Sequence, residues 1–409
     1  MRGRENNPAK AVWPKQSDSN KVWRVLNNVK IHGIKGTATL HENGLNLSFS
    51  TGFETSVVLP SSVDAATIAL YRIYVLLGIY KKMYVCTGTA DNATFDTAIK
   101  AMKDSGKLSV VSGTYTFSDS VIVTGKSIVI ESAGTFAASE SVPHIFNFVR
   151  CPNVYVQGLT TSDSGFNYAL RFYRCGSVYC RDSTISNVAR NGVFAQYCGS
   201  VELYNVEITG CGQDGLNVSY SPLRAELCDF NSNDDSGVVF SGTTASISRS
   251  NINSNGAHGF EESATDIGCS FAFADVDFNS NGAAGCYCRG NGFVTAHGCN
   301  FNSNGTNGLE VDGGLFVTNC GADNNTSNGI RGDGVVVETD ATGNGGNGFV
   351  GSLIINGSSA IGGSTSGAVV DFTNAYTGSQ VVVTGVNFGS ETTSTKTITV
   401  DNGIVTDIT

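Results

Sequence analysis

The sequence predicts an all-β protein: a right-handed parallel β-helix solenoid with a short capping helix, a small N-terminal docking region and a β-rich C-terminal cap. Three observations carry this. First, an Asn-Gly phrase returns at 233–237, 255–259, 281–285, 304–308, 324–329 and 344–348. Anchored on its last glycine, with weaker copies at Gly192, Gly215 and Gly367, it steps by 19 to 26 residues. A near-constant interval of that length, built from short strands, means coils stacked on their neighbours. Second, apolar residues alternate with period two, as in Ser-Val-Glu-Leu-Tyr (200–204), and no 3.6-residue stripe runs through this half. Third, like residues recur in columns one coil apart. Four positions before the anchors stand Asn233, Asn255, Asn281, Asn304, Asn325 and Asn344. Stacked about 4.8 Å apart, such amides can bond up the axis as a ladder. Nine before stand Val206, Cys228, Ser250, Val276, Cys299, Cys320 and Thr339, small side chains suited to an interior corner. The anchor glycines themselves are expected to supply a positive φ that ends the turn.

Three regions are expected: 1–85, 86–374 and 375–409. In the first, 37–50 reads as a hairpin turning at Asn43-Gly44. Residues 51–85 contain the longest apolar run, Ala65 to Tyr80, which is too short to span a membrane and is broken by Arg72. At 89–106 a helix is expected, capped by Asp91 or Asn92, with Phe95, Ile99 and Met102 as its apolar face and Gly106 as its stop. Followed by Gly-Thr-Tyr-Thr-Phe (113–117), this resembles the entrance to pectin-lyase-like β-helices. There a helix plugs a core that the first coil would otherwise expose. Coils are irregular to about 185 and regular to about 372. The threonine-rich tail ends in a second hairpin at Asn402-Gly403 and reads as a β-structured cap or oligomerisation tip that protects the last edge.

The chain has 409 residues, 50 glycines, six prolines and a net charge of −10. Its first 36 residues hold eight Lys and Arg against Glu5 and Asp18, so they carry +6 and the remainder −16. That arm lacks the dense basic cluster of a nucleic-acid binder. With Trp13 and Trp23 as aromatic anchors it reads instead as a docking segment for an acidic protein surface. Its opening residues are polar, without the pattern of an export signal. Twelve cysteines fall mostly on strand positions as small interior residues, which points to buried free thiols and assembly in a reducing cytoplasm. Cys286-x-Cys288 is not a zinc spacing, and neither metal nor cofactor is expected.

Docking arm, capping helix, solenoid and β-rich tip together resemble the tailspike and tail-fibre-like proteins of tailed bacterial viruses. The closing Thr-Ile-Thr-Val-Asp-Asn-Gly-Ile-Val-Thr-Asp-Ile-Thr (397–409) is similar to endings in such proteins. The resemblance implies a homotrimer in the virion, attached to another virion protein by its N-terminus. It also implies a body that binds or cleaves bacterial surface polysaccharide. The alternatives are a polysaccharide depolymerase (glycoside hydrolase or lyase) on the same particle, and a free cellular carbohydrate-active enzyme or adhesin.

Two sets of residues are candidates for chemistry. Polygalacturonases carry Asn-Thr-Asp, Asp-Asp, Gly-His-Gly and Arg-x-Lys on successive coils. The chain echoes these with Asp214, Asp234-Asp235, His258 and Arg289, about a coil apart, but lacks the Asn-Thr and the final lysine. A carboxylate pair could act as general acid and base on a glycosidic bond. Equally, Asp214 and His258 share the column of Asn191, Ser236, Ala284, Asn307, Asn328 and Asn347, where polar turn residues need no catalytic role. The second set lies on the strand after each anchor. Glu261, Tyr287, Arg289, Glu310, Asp312, Arg331 and Asp333 should face outward as a strip that could bind glycan, with Tyr287 as a stacking surface. A solvated face or a trimer interface would produce the same pattern. Glu262 falls on an inward position, in conflict with that use. The 26-residue step from Gly259 to Gly285 implies an insertion near 264–268, which adds Asp266 to Glu261 and Glu262 as candidates.

Overall fold

The computed structural model describes residues 91–102, 104–263 and 269–356, Ala101 and Asn356 by backbone only, together with the backbone of strands at 26–31, 34–41, 44–49, 54–58, 83–86, 369–371, 378–383, 395–401 and 404–408. The chain forms two compact units, Met1–Ile79 and Tyr80–Thr409. In the first, four strands pair antiparallel in sequence order, and the expected hairpin closes with His41 opposite Gly44. Trp13 and Trp23 lie outside the described residues.

The second unit is a parallel β-helix. Strands one coil apart pair in register over long stretches: Ser177–Ser186 lies on Ser200–Thr209, and Leu216–Ser219 lies on Val238–Ser241. The solenoid strands join in one continuous 27-stranded sheet, and period-two alternation along the strands sends apolar side chains inward. There Phe148 stacks on Phe172 at 5.1 Å and Phe278 on Phe301 at 5.0 Å. The 160s to 180s, irregular in sequence, stack in the same way. At the C-terminal end a separate antiparallel sheet of 378–383, 395–401 and 404–408 contains the second hairpin, with Asp401 opposite Ile404.

The helix spans Asn92–Ala101, capped by Asp91, whose side chain accepts from the Thr94 N–H at 2.8 Å. Phe95, Ile99 and Met102 are buried. Phe95 meets the rings of Tyr115, Phe117 and Phe136 edge-on at 5.2 to 5.9 Å, so the helix plugs the first coils. Gly106 does not stop it. The helix ends at Ala101, and Gly106 belongs to the strand Ser105–Val110, where a Cβ would come within 2.6 Å of the Met102 sulfur.

The asparagine ladder is present. The Oδ1 of Asn281 accepts both the N–H and the Nδ2 of Asn255, at 3.1 and 3.0 Å, and the pattern repeats from Asn233 through Asn344. The anchor glycines do something other than expected. None of those described has a positive φ; the left-handed residues stand five positions earlier, at Asn187, Gly210, Ser232, Ser254, Ser280, Ser303, Asn324 and Gly343, with φ of 56° to 67°. The anchors are glycine because coils close in on them: a Cβ on Gly259 would lie 2.4 Å from the Gly285 carbonyl and 2.8 Å from the Asn281 amide nitrogen.

All eleven cysteines described with their side chains are buried, and none forms a disulfide. Burial pushes the Cys180, Cys211 and Cys228 thiols up to about 12, which leaves them inert at neutral pH. Native protein is therefore expected to resist alkylation, and unfolded, unreduced protein to label at nearly all twelve cysteines. Extensive protection after unfolding without reductant would reveal disulfides and contradict this.

Candidate functional site

One outward face carries a register-aligned set of polar side chains, because the strand after each anchor glycine projects alternate residues outward. Phe194, Asn217, Val239, Glu261, Tyr287, Glu310, Arg331 and Val350 form one continuous column. Three residues earlier runs Asn191, Asp214, Ser236, His258, Ala284 and Asn307. The two columns bond to each other. A single carboxylate oxygen of Asp214 accepts the amides of Asn191 and Asn217, both at 3.0 Å. The Ser236 hydroxyl donates to Glu261 at 3.2 Å. Glu310 accepts from the Asn307 amide and pairs with Arg331, each at 2.5 Å. Asp214 and His258, expected within one column, are thus joined to the second strip as parts of one surface.

Asp214 is 8% exposed, and burial raises its pKa, reinforced by the Asp235 and Glu261 carboxylates and opposed by the Asn217 amide. Asp234 and Asp235 are exposed on the adjoining turn. Burial holds the His258 imidazole below its ordinary value; the Arg289 guanidinium lowers it further, and Glu261, Glu310 and Asp235 oppose this. Its Nδ1 accepts from the Ala284 N–H at 3.2 Å. His258 also stacks on Tyr287 at 4.9 Å, and Arg289 lies 4.6 Å over the same ring. Tyr287 is therefore engaged by the protein's own side chains rather than left as an open platform.

Asp312 and Asp333 are exposed, Asp333 accepting from the Ser352 N–H at 2.7 Å. Glu262 is not part of the face. The strand keeps its register through the long step, with Phe240, Glu262 and Cys288 stacked inward, and Glu262 is fully buried, one carboxylate oxygen accepting from the Gly290 N–H at 3.0 Å. A side chain enclosed in the solenoid cannot touch a glycan, so its candidacy falls. Asp266, in the insertion, lies outside the described residues.

The sequence reading missed the open aromatic surface. Tyr197 and Tyr220 are 46% and 52% exposed and stack at 4.8 Å with 8° between their planes, and Tyr173 meets Tyr197 edge-on at 6.1 Å. Their positions, 173, 197 and 220, are one coil apart, a spacing visible in the sequence.

Residues 168–327 match the family model of a right-handed β-helix region. The solenoid is accordingly a right-handed parallel β-helix. A comparison with curated proteins gives no match. Among solved structures, the A-module of mannuronan C-5 epimerase AlgE4 from Azotobacter vinelandii is similar at 12% identity and a TM-score of 0.50, over 70% of this chain and 94% of that one. ORF18 of Geobacillus virus E2 follows at 11% identity and a TM-score of 0.41, over 90% and 82%. Tailspike protein 3 of bacteriophage CBA120 has 11% identity and a TM-score of 0.37, over 81% and 75%. The likeness to the AlgE4 A-module is one of fold, and a fold does not by itself choose between catalysis and binding.

Proposed function

We propose that this protein is a virion appendage of a bacterial virus, a tailspike or tail-fibre subunit that docks by its N-terminal region and contacts host surface polysaccharide through the face built on Asp214, Glu261, Tyr287 and Glu310. The observation that carries this reading is the face itself. Carboxylates, amides and guanidinium groups are fixed by bonds between coils and set beside exposed tyrosines. Prefixed polar groups beside apolar ring faces match the amphipathic surface of a sugar chain. Eleven buried cysteines outside any disulfide support folding in a reducing compartment such as a host cytoplasm. Homotrimerisation, attachment by residues 1–85 and virion localisation belong to the same proposal.

Deleting residues 1–36, which hold the +6 arm with Trp13 and Trp23, is expected to leave a folded, soluble trimer that no longer joins particles. Normal occupancy of the truncated chain on virions, or a stable monomer in sedimentation, would sink the docking or the trimer part respectively. Binding of purified protein to host capsule or lipopolysaccharide tests the rest: no affinity for either would end the glycan reading.

Asp214 favours a second reading, a depolymerase on the same particle. Its carboxyl is buried with its pKa raised, as a general acid requires, and Asp235 and Glu261 are close enough to perturb it. A raised carboxyl pKa means the folded state holds the proton more tightly than the unfolded chain. Its contribution to stability is therefore lost as pH climbs from the unfolded value of about 3.9 through the folded one. Asp214→Asn, which can still accept both amides, should abolish any release of new reducing or unsaturated ends while keeping or raising stability at neutral pH. Undiminished release by that variant would remove Asp214 from catalysis.

A further inference from the structure

The N-terminal part of the same face carries positive charge that no carboxylate among the described residues neutralises. Arg171 extends the outward column one coil before Phe194, with its guanidinium 5.5 Å from the centre of the Tyr173 ring. Arg174 occupies the corner that follows, 5.2 Å over Tyr173 and 5.9 Å over Tyr197. Arg150 holds the equivalent corner a coil earlier; it shares the left-handed backbone of Arg174, and its N–H donates to the Tyr173 carbonyl. Ion pairs in the described residues engage Arg181, Arg224, Arg249 and Arg331, but not these three. The Arg171 and Arg174 guanidinium groups are thus gathered about the Tyr173 ring, and the Arg150 backbone stands one coil, about 4.8 Å along the axis, before Arg174. Such a cluster is self-repelling until an anion enters it.

The aromatic stack leads away from this cluster to the coil that also carries Asp214. Ser219 pairs with Ser241, so the residue following Tyr220 in the stack is Gly242, which has no side chain to cover the outer face of Tyr220. The face therefore offers a guanidinium cluster and, further along the axis, an open tyrosine ring on the coil of Asp214, with Tyr220 and Asp214 at opposite ends of the strand Leu216–Ser219.

We infer that the stretch from Arg150 to Tyr220 is a subsite for an acidic glycan. A sugar carboxylate is held by Arg171 and Arg174, and the apolar face of a neighbouring sugar lies on Tyr220. This rests on the glycan reading above and narrows it to carboxylate-bearing polymers. A guanidinium fork matches a carboxylate in two parallel hydrogen bonds, which a hydroxyl cannot reproduce.

The test uses the full-length protein with polygalacturonate, hyaluronan and polysialate, each beside its carboxyl-reduced counterpart, and with dextran as a neutral polymer. Affinity is measured at low and high salt. At least one acidic polymer is expected to bind about tenfold or more tightly than its reduced form, with the difference shrinking at high salt. The double variant Arg171→Gln, Arg174→Gln should erase that preference, and Arg174→Lys alone should reduce it, because lysine keeps the charge but not the fork. Tyr220→Ala should weaken native and reduced forms alike. Arg174 and Tyr220 are exposed and Arg171 is half-buried on the outward face, and unchanged melting of each variant confirms that folding is not the cause. Equal binding of acidic and reduced polymers, binding of dextran alone, or a preference that survives the double variant would overturn the acidic subsite and leave the glycan reading standing. No binding of any polymer here, nor of host capsule or lipopolysaccharide, would overturn both.

Discussion

Replacing Asn281 with alanine is expected to destabilise the β-helix by about 3–5 kcal/mol, among the largest effects a single substitution can have here. The Asn281 side chain makes four hydrogen bonds at once. Its Oδ1 takes the N–H and Nδ2 of Asn255, and its Nδ2 reaches the Ile252 carbonyl and the Oδ1 of Asn304, all at 3.0 to 3.1 Å. Asn281 is buried, as are Asn255 and Asn304, so water cannot replace the lost partners. Alanine strands donors and an acceptor on two adjacent coils. Because each coil's stability depends on its neighbours, the loss spreads along the solenoid rather than staying local. Urea unfolding of Asn281→Ala beside Asn279→Ala separates the cases. Asn279 belongs to a second, part-buried ladder and should cost clearly less. Equal midpoints would mean that the buried ladder has no special weight.

Gly259→Ala is expected to cost about 2–4 kcal/mol for a different reason. The atoms facing a new Cβ are the Gly285 carbonyl and the Asn281 amide, both fixed by inter-coil bonds, so the neighbours cannot give way. Backbone conformation is not the obstacle, because Gly259 lacks a positive φ. Asparagine, which tolerates the left-handed region better than alanine, should therefore be no improvement at 259. At Gly343, whose φ is 67°, asparagine should be better tolerated than alanine. Thermal unfolding of the four variants checks this, and rescue by asparagine at 259 would contradict close packing as the cause.

These two columns show what the sequence makes legible. A ladder of asparagines one coil apart declares itself, because identical residues recurring at the coil interval must stack. A column of glycines declares itself equally, but its reason does not. Turn conformation and steric closeness both select glycine, and only the positions of the Ser232, Ser254 and Ser280 backbones tell them apart. Phe95 as the plug was readable from helix periodicity, whereas the helix end was not. Gly106 near a predicted terminus looks like a stop, although it is a contact point for Met102. In the candidate face, Glu261 and Glu310 followed from alternation alone. Tyr197 and Tyr220 were missed because they sit at a corner outside the alternating strand, where left-handed backbone turns their rings out of the expected pattern. Glu262 shows the opposite error: a carboxylate beside an insertion suggests a site, yet the register carried it inward without a shift.

Hydroxyl-radical footprinting of the intact protein, with and without saturating host polysaccharide, tests the central claim most directly, because exposed tyrosines stand on two different faces. Tyr197 and Tyr220 lie on the face proposed to hold glycan, while Tyr179 and Tyr204, 38% and 42% exposed, lie on the strands Ser177–Ser186 and Ser200–Thr209, which stack on each other apart from the strands Val193–Gln196 and Leu216–Ser219. The account predicts that polysaccharide protects Tyr197 and Tyr220 and leaves Tyr179 and Tyr204 oxidised as before. Protection confined to Tyr179 and Tyr204, or shared equally by all four, would contradict it.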